Sequence, residues 1–192
     1  MLEIRLHGRG GQGTVVASKI LAEAFFHEGK YVQAFPSFGV ERRGAPVAAF
    51  IRVGEAGETD FVRCEIYRPH HLIILDATLL KQVNILNGFQ KGGWIVVNTP
   101  KDPDELNLPV ECRLAVLDAK AVAVKNKLGT AAAPIVNVPI AAAFAGATGL
   151  LSLESMLKAV KEEVPVRVEE NLKAAEEAFK AVKILEPAAG GG

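Results

Sequence analysis

"LEIRLHGRGGQGTVVASKILAEAFF", residues 2–26, decides the fold. Residues 2–7 alternate apolar and polar, the period-two pattern of a strand. Over 14–28 the bulky apolar residues Val15, Val16, Ile20, Leu21, Phe25 and Phe26 recur at helical spacing and predict a helix with a broad buried face. Gly29 stands where a C-terminal glycine should end it. Between strand and helix lie Gly8, Arg9, Gly10, Gly11, Gln12 and Gly13; Gly8, Gly10 and Gly13 satisfy G-x-G-x-x-G in the strand–turn–helix setting that gives the pattern meaning. Glycines let a backbone approach a ligand closely, and the free N–H groups and dipole at a helix start favour an anion. Three readings follow: a dinucleotide cradle, a cradle for another phosphate, or a tight turn with no ligand.

The dinucleotide reading meets an obstacle. An acidic residue should close the second strand, about 20 residues on, to bind ribose hydroxyls. That strand, residues 31–35, runs instead into "AFPSFG", with Glu28 too early and Glu41 beyond a loop. The next segment, "PSFGVERRGAPV", is unusual in itself. Gly39 and Gly44 bracket Glu41, Arg42 and Arg43, and Pro36 and Pro46 stiffen the ends. Guanidinium groups bind phosphates and carboxylates in forked geometry. The plain alternative is a solvated charged loop. Its position favours a site, because it leaves the carboxyl end of strand two, the sheet edge where open α/β folds bind ligands.

Further along, 46–53 reads as a strand that follows its predecessor without a helix, so the pair is expected to be antiparallel. Continuous apolar runs at 72–75, 94–97 and 114–117 read as strands covered on both faces. They end at Asp76, Asn98 and Asp118. Helices are expected from Asp76 to about Gly88, over 119–128, from Asn137 to Ala147, over 153–163 and over 168–182. Asp76, Asp118 and Asn137 read as helix caps; Asn98 could cap a turn or face the site. Strands alternating with helices predict an α/β, three-layer Rossmann-like fold with a mainly parallel sheet and a helical C-terminal part. One domain over 1–186 is expected, with 187–192 a disordered tail.

Composition bounds the function. Of 192 residues, 22 are basic and 22 acidic, so no net basic field draws in nucleic acid or an anionic membrane. No apolar run reaches the roughly 18 residues of a membrane span. Strand-like sequence starts at once, so no export signal is visible and a cytoplasmic protein is expected. Cys64 and Cys112 are the only cysteines, too few for the four thiolates of an iron–sulfur cluster, and read as reduced, buried thiols. His70 and His71 would point apart on a strand and read as ordinary polar histidines. No nucleophile elbow, Ser-His-Asp set or metal cluster emerges: a ligand cradle without a catalytic engine.

"GRGGQG" at 8–13, "FPSFGVERRGAPV" at 35–47, "GGWIVVNTP" at 92–100 and "EENLKAAEEAF" at 169–179 resemble the gamma subunit of pyruvate (2-oxoacid):ferredoxin oxidoreductase over nearly the whole chain. The wording of "VERRGAPV" is closer to the pyruvate or 2-oxoisovalerate branch than to the 2-oxoglutarate branch. The resemblance implies one subunit of an enzyme of class EC 1.2.7, inactive alone, that oxidatively decarboxylates a 2-oxoacid to acyl-coenzyme A and reduces ferredoxin. Thiamine diphosphate, magnesium and [4Fe–4S] clusters would sit on thiamine-binding and ferredoxin-like partner chains, and this chain would contact coenzyme A. The cofactor-binding candidates are Gly8, Arg9, Gly10, Gly11, Gln12, Gly13, Arg42, Arg43 and Asn98. The glycine amides would meet a phosphate, Gln12 a ligand or partner, and Arg42 or Arg43 a phosphate or a neighbouring carboxylate. Holding the coenzyme A thiol at the reaction centre would make acyl transfer effectively intramolecular. Two other readings stay open: a structural subunit whose loops face protein, and a free-standing nucleotide-binding oxidoreductase.

Overall fold

Alternation along the first strand separates two chemistries. In the computed structural model, which describes residues 1–37, 43–58, 62–82, 84–106, 108 and 110–185, β1 is Leu2–Arg9. Ile4 and Leu6 enter a wholly apolar core on one face of the sheet, while Glu3, Arg5 and His7 go to the other. The remaining strands are β2 (Tyr31–Pro36), β3 (Pro46–Gly54), β4 (His71–Ile74), β5 (Trp94–Asn98), β6 (Arg113–Leu117) and β7 (Lys183–Leu185). They form one sheet in the order β2-β3-β1-β4-β5-β6-β7. β1, β4, β5 and β6 pair in parallel, and β3 and β7 run against their neighbours. β2 is antiparallel to β3, as the missing helix between them predicts, so only β3 and β7 oppose the common direction.

Five helices cover the first face: α1 (Thr14–His27), α3 (Ala119–Lys125), α4 (Asn137–Thr148), α5 (Leu153–Glu163) and α6 (Val168–Ala181). α4 is apolar all round, so it sits in the middle of this layer. A Cβ at Gly146 would strike the backbone carbonyl of Phe179, so α4 and α6 touch backbone to backbone there. The second face is covered thinly, by the one-turn α2 (Leu79–Gln82), a 3₁₀ turn at Pro103–Glu105 and irregular chain.

The helix expected from Asp76 to Gly88 shrinks to α2. Beyond α2 the chain runs in turns, Asn87 N donating to Asn84 O (3.2 Å) and Phe89 N to Leu86 O (3.1 Å), and the Arg5 guanidinium fastens that segment through the carbonyls of Ile85 (2.7 Å) and Asn87 (2.9 Å). Asp76 is correspondingly no helix cap; its Oδ1 accepts from the amide (3.0 Å) and hydroxyl (2.6 Å) of Thr78 in a local turn. Asp118 does cap α3, accepting from Ala121 N at 2.9 Å. Asn137 stands one residue inside α4, after Val136. β7 was not expected, since three exposed residues carry no readable pattern. His70 and His71 fasten strands, their Nδ1 atoms accepting from the amides of Glu3 and Trp94, each at 3.0 Å. Cys64 and Cys112 are free, but Cys64 is exposed rather than buried. The tail at 187–192 lies outside the described residues.

Candidate functional site

β1 carries Gly8 and Arg9 to the carboxyl edge of the sheet, and α1 begins at Thr14. Gly8 must be glycine because a Cβ there would strike Thr14 Oγ1 and lie 3.3 Å from Leu75 Cβ. Gly13 has φ +78°, a left-handed conformation, and a Cβ on it would lie 2.8 Å from Asn137 Nδ2. The turn is therefore pressed against Leu75, just past β4, on one side and against α4 on the other.

The second motif meets the first directly. Gly10 donates its amide to Ala45 O at 2.9 Å, and Gly44 N donates to Gly10 O at 3.0 Å. Arg43 forms a bridge with Gly10, and its Cγ lies over Gly11. Its side chain is exposed and makes no ion pair among the described residues. Arg42 lies outside the described residues.

Arg9 and Gln12 turn inward. Arg9 Nε donates to Asp76 Oδ2 (3.1 Å), Nη1 to Gly44 O (3.1 Å), and Nη2 to Thr78 Oγ1 (2.8 Å) and Gln82 Oε1 (2.6 Å). Gln12 Oε1 accepts from Arg9 N (2.8 Å), and its Nε2 donates to Asp76 Oδ2 (3.0 Å). These side chains tie the turn to the Gly44 segment and to α2. Burial alone would raise the Asp76 carboxyl, but hydrogen bonds from Thr78 and Gln12 and the charge of Arg9 bring it below the usual carboxylate range. It is an ionised hub that fixes the turn's shape. The sequence pointed to none of this for Asp76, because its partner Arg9 is 67 residues away.

What remains open is backbone. The amides of Arg9, Gly10 and Gln12 are engaged internally. Those of Gly11, Gly13, Thr14, Val15 and Val16 find no acceptor among the described residues, and α1 has no side-chain cap. They border an open cavity of about 290 Å³ lined by Arg9, Gly10, Gly11, Gly13, Thr14, Val15, Val16 and Val47. Thr14 Oγ1, on a residue 2% exposed, has no partner either. No acidic side chain occupies the first turn of α1 to fill the role of an anion. A phosphate or carboxylate fits this arrangement, with Arg43 beside it.

Asn98 is not brought there. It is 4% exposed, its Nδ2 donating to Leu75 O (2.9 Å) and its Oδ1 accepting from Ala119 N (3.0 Å), so it joins β4, β5 and α3. A larger groove of about 630 Å³ between α2 and the 3₁₀ turn has an apolar floor, including Leu80, Ile85 and Leu106, but lacks the glycine motif and the start of a long helix. Size alone does not make it the anion site. With two single thiols, Cys64 and Cys112, this chain's donor set does not fit an iron–sulfur cluster. No helix among the described residues is long and apolar enough to cross a membrane.

Residues 3–181 match the family model described as pyruvate ferredoxin/flavodoxin oxidoreductase. The chain belongs to this family. It is 48% identical over 180 residues to the pyruvate synthase subunit PorC of Methanocaldococcus jannaschii, covering 93% of this chain and 96% of that one. It is 46% identical over 190 residues to the pyruvate/ketoisovalerate oxidoreductases common subunit gamma of Pyrococcus abyssi, covering 97% of this chain and all of that one. Among solved structures, the pyruvate oxidoreductase subunit PORC of Thermotoga maritima superposes with TM-score 0.79 at 34% identity, over 96% of this chain and 98% of that one. Within the family the chain is of the gamma-subunit type, and the expected fold and family both hold.

Proposed function

We propose that this chain is the gamma subunit of a pyruvate:ferredoxin oxidoreductase in the cytoplasm and that its glycine turn binds a phosphate of coenzyme A. Its partners are thiamine-binding and ferredoxin-like chains. Thiamine diphosphate, when bound on such a partner, supplies the electron sink for decarboxylating the 2-oxoacid. The observation that carries the reading is the row of amides at Gly11, Gly13 and Thr14–Val16 without an acceptor among the described residues, bordering the cavity beside Arg43.

The division of labour follows from the geometry. Gly11 and Gly13 contribute amides, and the start of α1 contributes its dipole. Arg43 neutralises phosphate charge at the rim. Gln12 and Asp76, together with Arg9 in the cavity wall, hold the turn in shape so that little order is lost on binding. A phosphate anchored here tethers the coenzyme, which restricts where its thiol travels. The partner's reaction centre then meets a local thiol instead of a bulk one.

Equilibrium binding of coenzyme A to the assembled complex tests this. The Arg42→Ala/Arg43→Ala double variant should bind about tenfold more weakly, as for loss of one charged hydrogen bond. Unchanged affinity removes the arginines from phosphate recognition.

A further inference from the structure

The second sheet face buries cationic side chains among carbonyls and apolar walls. Arg5 is 9% exposed, and its guanidinium donates only to carbonyls: Ile66 (3.1 Å), Ile85 and Asn87. It forms no ion pair among the described residues, although buried cations are ordinarily paired. Arg5 Nε is buried with no partner among the described residues, and so is Nε2 of His7, two residues on and on the same face. Arg5 and His7 form part of the lining of a cavity of about 350 Å³ with apolar walls that include Ala48, Phe50 and Ile66. Glu65 also borders it, and its charge acts on Arg5 without a direct ion pair.

The rim has the character of a protein interface. Tyr67 is 71% exposed and Val62 70%, side chains that are costly to leave in water and frequent at binding hot spots in the case of tyrosine. Exposed Arg63 and Arg68 stand beside them without an ion pair among the described residues. By contrast the neighbouring Arg52, equally buried, is paired to Glu3 at 3.0 Å and donates to Val62 O at 2.6 Å. Val47 lines both this cavity and the one at the glycine turn, so the two lie back to back across β3.

We infer that this cavity is the docking socket for a companion subunit, which inserts an aspartate or glutamate side chain toward Arg5 and His7 while its surface covers Tyr67 and Val62. The inference rests on the chain being one subunit of a larger enzyme. A carboxylate at the mouth adds a second negative charge to that of Glu65 on the Arg5 side and meets the exposed guanidinium groups of Arg63 and Arg68 at the rim. A water-exposed tyrosine and valine beside two unpaired arginines favour an acidic protein surface over a free small acid. Docking at this point brings another chain to the edge of the glycine turn, where it completes the wall of the anion site.

The test replaces Tyr67 with a photoreactive benzophenone amino acid in the tagged full-length chain, expressed in its native host. Irradiation of the purified complex followed by mass spectrometry should join position 67 to an acidic segment of a different subunit. In parallel, Val62→Ser/Tyr67→Ala should retain at least tenfold less companion subunit on washing, with an unchanged melting temperature for the isolated chain. Cross-links only to a second copy of this chain, or full retention by the double variant while wild type retains its partners, overturn the socket. Wild-type chain that retains no companion subunit overturns the subunit reading itself.

Discussion

The two faces of the sheet differ in how completely they are finished. On the helical face, Ile4, Leu6, Ile73, Leu75, Val96 and Phe144 are sealed from water, and the helices above them meet close enough that Gly146 admits no side chain. On the other face β4–β6 bury a smaller apolar cluster of Leu72, Ile74, Ile95 and Val97, while β1 and β3 present Arg5, His7 and Arg52 under a thin irregular cover. The first face makes the fold. The second tolerates a cost in unpartnered polar groups, a cost that makes sense where another chain finishes the job. The glycine turn lies where β1 leaves this sheet, and its open amides are the same kind of unfinished business.

The contrast predicts where the protein breaks. Phe144→Ala, on the finished face, should lose about 3–5 kcal/mol in chemical denaturation, as for a large aromatic removed from a packed core. Arg5→Met should cost about 1–3 kcal/mol for each of the carbonyls of Ile66, Ile85 and Asn87 that finds no water, and it should loosen residues 84–88 in hydrogen exchange. A smaller total than for Phe144→Ala would show that water reaches those carbonyls in the open layer.

Acid should act through the buried imidazoles. Burial first, then the charge of Arg5, pushes His7 down to about 3; burial first, then His70 and Arg113, pushes His71 down to about 4. Both stay neutral in the fold but bind a proton when unfolded, below about pH 6.5. Their contribution is therefore intact above pH 6.5 and is lost as pH falls toward 4 and then 3. The loss attributable to His71 is about 3 kcal/mol. His71→Gln should flatten the stability profile between pH 6.5 and 4; an unchanged slope would show that its link to Trp94 N does not depend on neutrality.

Smallest in stability is the hub beneath the turn. Asp76→Asn should cost about 1 kcal/mol, because Arg9 keeps its bonds to Gly44, Thr78 and Gln82. Its effect on coenzyme A affinity should be larger than its effect on melting, which separates shaping the site from holding the fold.

Much of this was legible in the residues. The strand–glycine–helix opening, the antiparallel pair that follows and the three apolar strands needed only periodicity, and the helices expected over 153–163 and 168–182 stand at Leu153–Glu163 and Val168–Ala181. The miss at 76–88 lay in tertiary structure: the chain beyond α2 runs in turns fastened by Arg5, some 80 residues earlier, a contact no local pattern shows. The site was legible in outline only. Glycines announce backbone geometry, so Gly11 and Gly13 were readable as amide donors. Polar side chains do not announce their direction, and Arg9, Gln12 and Asn98 all point to internal partners. Asn137, which packs against Gly13, looked like a helix cap because only the fold brings α4 under the turn.

The amide spectrum of the ¹⁵N-labelled full-length chain, titrated with coenzyme A, tests the central claim most directly. The account predicts that the amides of Gly11, Gly13, Thr14, Val15 and Val16 shift together along one saturable curve. Those of Arg9, Gly10 and Gln12, already engaged, should move far less. Saturable shifts confined to the groove near Ile85 and Leu106, with 11–16 unmoved, would contradict it.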